Sequence, residues 1–242
     1  MKYLLLGVLG SVLVVYVVAC TWLYFKQEAL LFYPRKLPAS YQFKLPGHYA
    51  EVPIKTPDGA QLSGLLFRAD AAEGLVFFLH GNAGSLAEWG QLAPTYVAQG
   101  YDVFLLDYRG YGKSTGTISS QAQLLNDVEL AYQQVIMQYE ESQVIIAGYS
   151  LGTGPAAWLA ARHRPRRLLL HAPYYSMADM AARTISVWPL LPDFLLRYPL
   201  PTNEFIQQVS APIVLVHGNQ DNLIPYNSSV RLKALLKPGD QL

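Results

Sequence analysis

Apolar positions follow different rules in different parts of the chain, and each rule predicts an element. From Leu4 to Phe25 no charged residue interrupts the run. Wound as a helix it extends about 33 Å, enough to cross the hydrocarbon core of a bilayer. Lys2 and Lys26 bracket it, and Tyr3, Trp22, Tyr24 and Phe25 lie near its ends like an interfacial aromatic belt. A connector with Pro34, Pro38 and Pro46 follows, and its Leu30-Leu31-Phe32-Tyr33 group is expected to pack on the domain or the membrane face. Tyr49 to Thr56 and Gln61 to Arg68 then alternate around Thr56-Pro57-Asp58-Gly59, a hairpin pattern.

Beyond the hairpin the pattern changes to continuous apolar runs separated by helical stretches. Gly74 to His80, Tyr101 to Tyr108, Gln143 to Ala147, Arg167 to Ala172 and Ile213 to His217 read as strands buried on both faces. Leu86 to Gln99, Ser119 to Tyr139, Leu151 to Arg162 and Tyr226 to Leu236 read as helices between them; in the second, Leu124, Val128, Ala131 and Val135 share one face. Strand–helix alternation of this kind predicts an α/β fold, a mostly parallel twisted sheet with helices on both faces. Tyr174 to Val209 breaks the rhythm.

Composition removes several function classes. The 242 residues suit one large α/β domain. A formal net charge of +1 with no dense basic tract gives no reason to expect nucleic acid. Cys20 is the single cysteine, so a disulfide framework or a cysteine-rich metal site is excluded. The N-terminal run admits three readings. A cleaved signal peptide has a shorter apolar region and a small-residue cleavage site, to which Val18-Ala19-Cys20 is a partial match. Val17-Val18-Ala19-Cys20 resembles a lipoprotein box, but the sequence continues apolar through Trp22-Leu23-Tyr24-Phe25 where a polar tether is usual. An uncleaved single-pass membrane anchor is the reading adopted. Basic residues on both sides leave its orientation open.

The chemistry centres on Gly148-Tyr149-Ser150-Leu151-Gly152, at the turn from a predicted strand into a predicted helix. Flanking glycines let strand and helix approach closely and allow a strained backbone at the serine. Ser150 is therefore the candidate nucleophile, at a helix N-terminus whose free N–H groups suit an anionic intermediate. His80-Gly81-Asn82-Ala83-Gly84 follows another strand. Its glycine-bearing loop can aim N–H groups above Ser150, and Asn82 with Leu151 are the candidate oxyanion-hole donors; a simple β-to-α turn would use the same glycines. Asp107-Tyr108-Arg109-Gly110-Tyr111-Gly112-Lys113-Ser114 suits a tight, internally bonded loop, with Asp107 and Arg109 structural. It lacks the glycine spacing of a phosphate-binding loop. Asp221, in His217-Gly218-Asn219-Gln220-Asp221, lies just past the carboxyl end of a strand, where it can orient an imidazole or simply close an Asx-turn.

These motifs, in this order and on these strands, resemble the α/β-hydrolase superfamily, and more narrowly its membrane-anchored abhydrolase-domain serine hydrolases. The resemblance covers Leu30 to Leu242. It implies a membrane anchor over residues 1–26, a connector over 27–48, and an α/β-hydrolase domain over 49–242 with a cap insertion at 174–209. It implies hydrolysis of a small-molecule or lipid-like acyl ester or thioester, with Ser150 and Asp221 catalytic, Asn82 and Leu151 in the oxyanion hole, and no cofactor or metal. In the cap, Tyr174, Tyr175, Met177, Met180, Trp188, Leu191 and Phe194 suggest an apolar acyl pocket; they serve equally to bury the cap on the domain. The family also needs a histidine in the loop after its last strand. Lys237 to Leu242 reads as the lead-in to that strand, so the strand, the histidine and the closing helix are expected to be missing from this sequence. His171 and His217 are the nearest substitutes. The remaining alternative is a catalytically inactive, membrane-tethered binding protein on the same fold.

Overall fold

A computed structural model describes residues 1–184 and 195–242. Seven strands form the main sheet: β1 (Tyr49–Lys55), β2 (Gln61–Phe67), β3 (Gly74–Leu79), β4 (Tyr101–Asp107), β5 (Val144–Tyr149), β6 (Arg167–His171) and β7 (Ile213–Val216). Their order across the sheet is β1-β2-β4-β3-β5-β6-β7. The hairpin strands β1 and β2 are antiparallel, as is the β2–β4 pair, and every pairing from β4 to β7 is parallel. Crossover to either side of β3 places the carboxyl ends of β3 and β5 side by side at the centre, where ligands bind in open parallel sheets. At the far edge Gln241 forms a parallel bridge to Val214, with its N–H on Ile213 O and its carbonyl accepting from Leu215. Within Lys237 to Leu242, this one bridge is the pairing with β7.

The continuous apolar runs split by parity into two cores. Phe77, Phe104, Ile146 and Leu170 face one side, and Phe78, Leu105 and Ala147 face the other. Helices α4 (Gln121–Ile136), α5 (Thr153–Ala160) and α8 (Asn227–Lys233) bury the first core, where Tyr132 meets Phe77 edge-on at 5.2 Å. Short helices α2 (Leu86–Trp89) and α3 (Ala93–Val97) cover the second. One helix was expected over Leu86 to Gln99. Gly90 comes so close to Leu45 that a Cβ there would lie 2.5 Å from its Cδ1, and Pro94 begins a new helix, so the segment bends. Helices α6 (Met177–Thr184) and α7 (Thr202–Phe205) lie within the insertion expected over 174–209.

The apolar N-terminal run is helix α1 (Lys2–Leu31), longer than Leu4 to Phe25 and extending into the segment expected to be connector. It is long and apolar enough to cross a membrane, with Leu6, Leu9, Val12, Leu13 and Val15 exposed. Its last turns dock on the domain. The buried Gln27 donates to Leu195 O and accepts from Arg197 N–H, while Glu28 pairs with Arg197 at 2.6 Å and accepts from the Tyr198 hydroxyl at 2.7 Å. Phe32 enters the first core against Tyr198.

Candidate functional site

Ser150 directly follows β5, the neighbour of the central strand β3, with φ +50°, a left-handed conformation that a residue with a Cβ holds only when its surroundings enforce it. The two elbow glycines supply that enforcement. A Cβ on Gly148 would lie 2.5 Å from Gly152 O, and one on Gly152 would lie 2.1 Å from Leu79 O. The elbow therefore sits directly on the end of β3, from which the His80-Gly81-Asn82 loop emerges. Gly152→Ala has no side-chain motion that relieves a backbone contact. It is expected to destabilise by about 3 kcal/mol, the upper end of overpacking effects, read as a shift in urea midpoint.

The loop beside Ser150 is held from three directions. The His80 ring lies with Nδ1 2.6 Å from Gly81 O and Nε2 3.3 Å from Asp107 Oδ1, both side chains fully buried. In a trans peptide this puts the Asn82 N–H on the side opposite His80. Asn82 O accepts from Tyr33 N–H and from the Tyr111 hydroxyl, each at 2.8 Å. Burial pushes the Asp107 carboxyl above its ordinary range, against the pull of its contacts with His80 and the Leu86 N–H. Gly112 lies against this carboxylate, so close that a Cβ would be 1.8 Å from Oδ2. Arg109 points elsewhere, to Asp58 and Asp127. Both residues of the Asp107 loop that were expected to be structural are tied into frameworks.

Ser150, Asn82 and Leu151 line one cavity of about 350 Å³, within the span of about 300–1,000 Å³ usual for small-molecule sites. Tyr174, Met177 and Met180 of the expected cap pocket line it as well, while Tyr175 instead stacks against Arg231 at 3.7 Å. Trp188, Leu191 and Phe194 lie outside the described residues. Asp221 stands in the loop after β7, at the same sheet edge. Its Oδ1 accepts from the N–H groups of Leu223 and Ile224, an Asx-turn, and those two residues line the Ser150 cavity.

None of the five histidines bonds to Ser150 among the described residues. His171 Nε2 meets the Tyr96 hydroxyl at 3.2 Å, its ring stacks on Tyr149, and burial lowers its pKa. His217 lies with Nδ1 2.7 Å from Ser229 Oγ and Nε2 2.8 Å from Ile224 O, leaving Asp221 Oδ2 at 3.5 Å. His163 lies between Glu129 and Glu141, and His48 precedes β1. The residues that sequence reasoning missed are those of α1 and the segment after it: Leu23, Gln27, Leu30, Leu31 and Tyr33 all line the cavity. The polar run Lys26-Gln27-Glu28, set between Phe25 and Ala29, was the signal that this end of the helix meets protein.

A family profile described as serine aminopeptidase, S33, matches residues 70–203, from the end of β2 through the elbow to α7. The chain belongs to this family of α/β-hydrolases. An uncharacterized protein of Mycobacterium tuberculosis is 31% identical over 218 residues, 88% of this chain and 76% of that one. The human alpha/beta hydrolase domain-containing protein 17B is 29% identical over 188 residues, 74% of this chain and 61% of its own. Among solved structures, the Pyrococcus furiosus esterase Pf2001 superposes with a TM-score of 0.67 at 18% identity, covering 88% of this chain and 87% of that one. An α/β-hydrolase from Vibrio vulnificus gives 0.66 at 23% identity, covering 81% and 74%. The protein is thus a hydrolase by family, with the sheet of that fold and an N-terminal apolar helix added to it.

Proposed function

We propose that this α/β-hydrolase cleaves acyl esters or thioesters through Ser150, as a protein anchored in the membrane by α1. The observation that carries the reading is Ser150 at φ +50° in one cavity with Asn82 and Leu151. Ser150 Oγ attacks the acyl carbonyl, and its proton passes to an imidazole. The Asn82 and Leu151 N–H groups hold the oxyanion, the leaving group departs with the proton, and water releases the acyl group. Asp221 orients and stabilises the imidazolium through Oδ2, while Oδ1 is fixed by its turn. The imidazole in this reading is not that of His80, His163, His171 or His217, each of which is engaged with other partners. One structural neighbour is named an esterase, and the family profile is described as serine aminopeptidase. The apolar lining of the cavity favours an acyl chain over a peptide.

Free imidazole tests this reading on the chain as it stands. In detergent, hydrolysis of p-nitrophenyl butyrate is expected to be below about 1 s⁻¹ unaided, under the ordinary enzyme range. Added imidazole should raise the protein-dependent rate at least ~10-fold, with saturation. Asp221→Asn should remove most of that gain without shifting the melting temperature, since a half-exposed turn carboxylate packs no core. A protein-dependent rate that imidazole leaves at zero would return the chain to the class of non-catalytic binding proteins. A fast unaided rate would mean that a histidine already in the chain serves as base.

A further inference from the structure

Resting on the acyl-hydrolase reading above, we propose that the substrate is a membrane-resident acyl ester or thioester whose acyl chain reaches Ser150 along the last turns of α1, so that this helix is a wall of the acyl site. Leu23, Gln27, Leu30 and Leu31 fall at spacings of four, three and one, a single stripe on a helix, and that stripe lines the Ser150 cavity. The same helix carries the membrane-length apolar segment, Leu6–Leu31. These 26 residues rise about 39 Å against a hydrocarbon core of about 30 Å. A helix crossing from Leu6 therefore leaves its last turns at the lipid–water boundary, the depth at which acyl ester groups lie.

Two further features join helix and site. The buried Gln27 and the Glu28–Arg197 pair fix the helix to the domain, so the stripe is held in place. Immediately after the helix, Tyr33 N–H donates to Asn82 O and Arg35 N–H to Gly84 O, so the oxyanion loop and the end of the helix share a short parallel pairing. The rim is apolar and open: Leu30 is 41% and Leu223 68% exposed. An acyl chain drawn through water would be disfavoured about fourfold per methylene, whereas one sliding from lipid along this stripe crosses no water.

The test uses the full chain in vesicles of phosphatidylcholine, part of it carrying a diazirine at the end of one acyl chain. After irradiation, cross-links are mapped by peptide mass. Adducts are expected on Met177–Thr184 and at Leu223 as well as on Leu23 to Leu31. Leu23→Trp and Met180→Trp fill the cavity from two different helices that line it, α1 and α6. Each should reduce the domain adducts at least fivefold while adducts on the exposed N-terminal half of α1 persist. If one variant fails to fold, the other carries the test. Ser150→Ala should keep the adducts, so loss of hydrolysis there and loss of lipid entry are separate results. Adducts confined to Leu6 through Val18, or domain adducts unchanged in both tryptophan variants, would overturn the proposal.

Discussion

Ser150→Ala is expected to abolish imidazole-stimulated hydrolysis by the detergent-solubilised chain, leaving only the rate that imidazole achieves without protein. The comparison is p-nitrophenyl butyrate turnover at saturating imidazole, where the loss should be at least ~100-fold. In enzymes whose base is in place, removal of the nucleophile costs up to about 10⁶ in kcat. Here the base is diffusible and the starting rate lower, so the measurable loss is smaller. The variant should also keep its melting temperature or gain slightly. Alanine has the same Cβ, and among the described residues no hydrogen bond depends on the hydroxyl: Thr153 Oγ1 donates to Ser150 O, a backbone atom. A Ser150→Ala protein that still responds to imidazole would put the nucleophile elsewhere.

The second large effect is on stability. Arg109→Leu is expected to cost about 3–5 kcal/mol, the range seen when one member of a buried ion pair is removed. The guanidinium is 7% exposed and donates twice to Asp127 (Nε to Oδ2 at 2.6 Å, Nη2 to Oδ1 at 2.9 Å). Asp127 is itself 9% exposed, on the inner face of α4, so the variant leaves a buried carboxylate without its cation. The same guanidinium grips Asp58 of the hairpin turn through Nη1 and Nη2, which ties β1–β2 to α4. Asp58 is solvent-exposed and contributes less. Its hydrogen bonds from Arg109 hold its carboxyl well below the usual range. A carboxyl with a lowered folded pKa adds stability above its unfolded value, near 4, and loses it as pH falls further. The gap between Arg109→Leu and the native chain, read from urea titrations, should therefore narrow below about pH 4.

Much of the sheet was legible because burial on both faces leaves a strand no room for polar residues. The middle of every parallel strand appeared as an apolar run, with polar residues such as Asp102 and Asp107 near the ends, and the hairpin as alternation about a Pro-Asp-Gly turn. The elbow was legible for a different reason. Two backbones cannot approach as closely as Gly148 and Gly152 allow unless both positions lack a Cβ, so a steric demand is written into local sequence. The Asp107 loop showed its glycines but not their purpose: Gly112 lies so close to the Asp107 carboxylate that a Cβ there would be 1.8 Å from Oδ2.

What the sequence by itself determined is therefore local: which segments can be strands, where the chain can turn sharply, and which serine that turn exposes. Periodicity and glycine placement act over a few residues, and so they survive without knowledge of the fold. Only the tertiary structure decided which distant groups meet. It carried α1 past Lys26 to Leu31, turned Gln27 inward, and made the end of an apolar helix one wall of the cavity that holds Ser150. It also gave His171 to Tyr96 and His217 to Ser229 and Ile224 rather than to the serine. The physical reason is the same in each case. A side chain's partner is set by which strands are neighbours and which face each residue occupies, and strand order is a property of the whole chain.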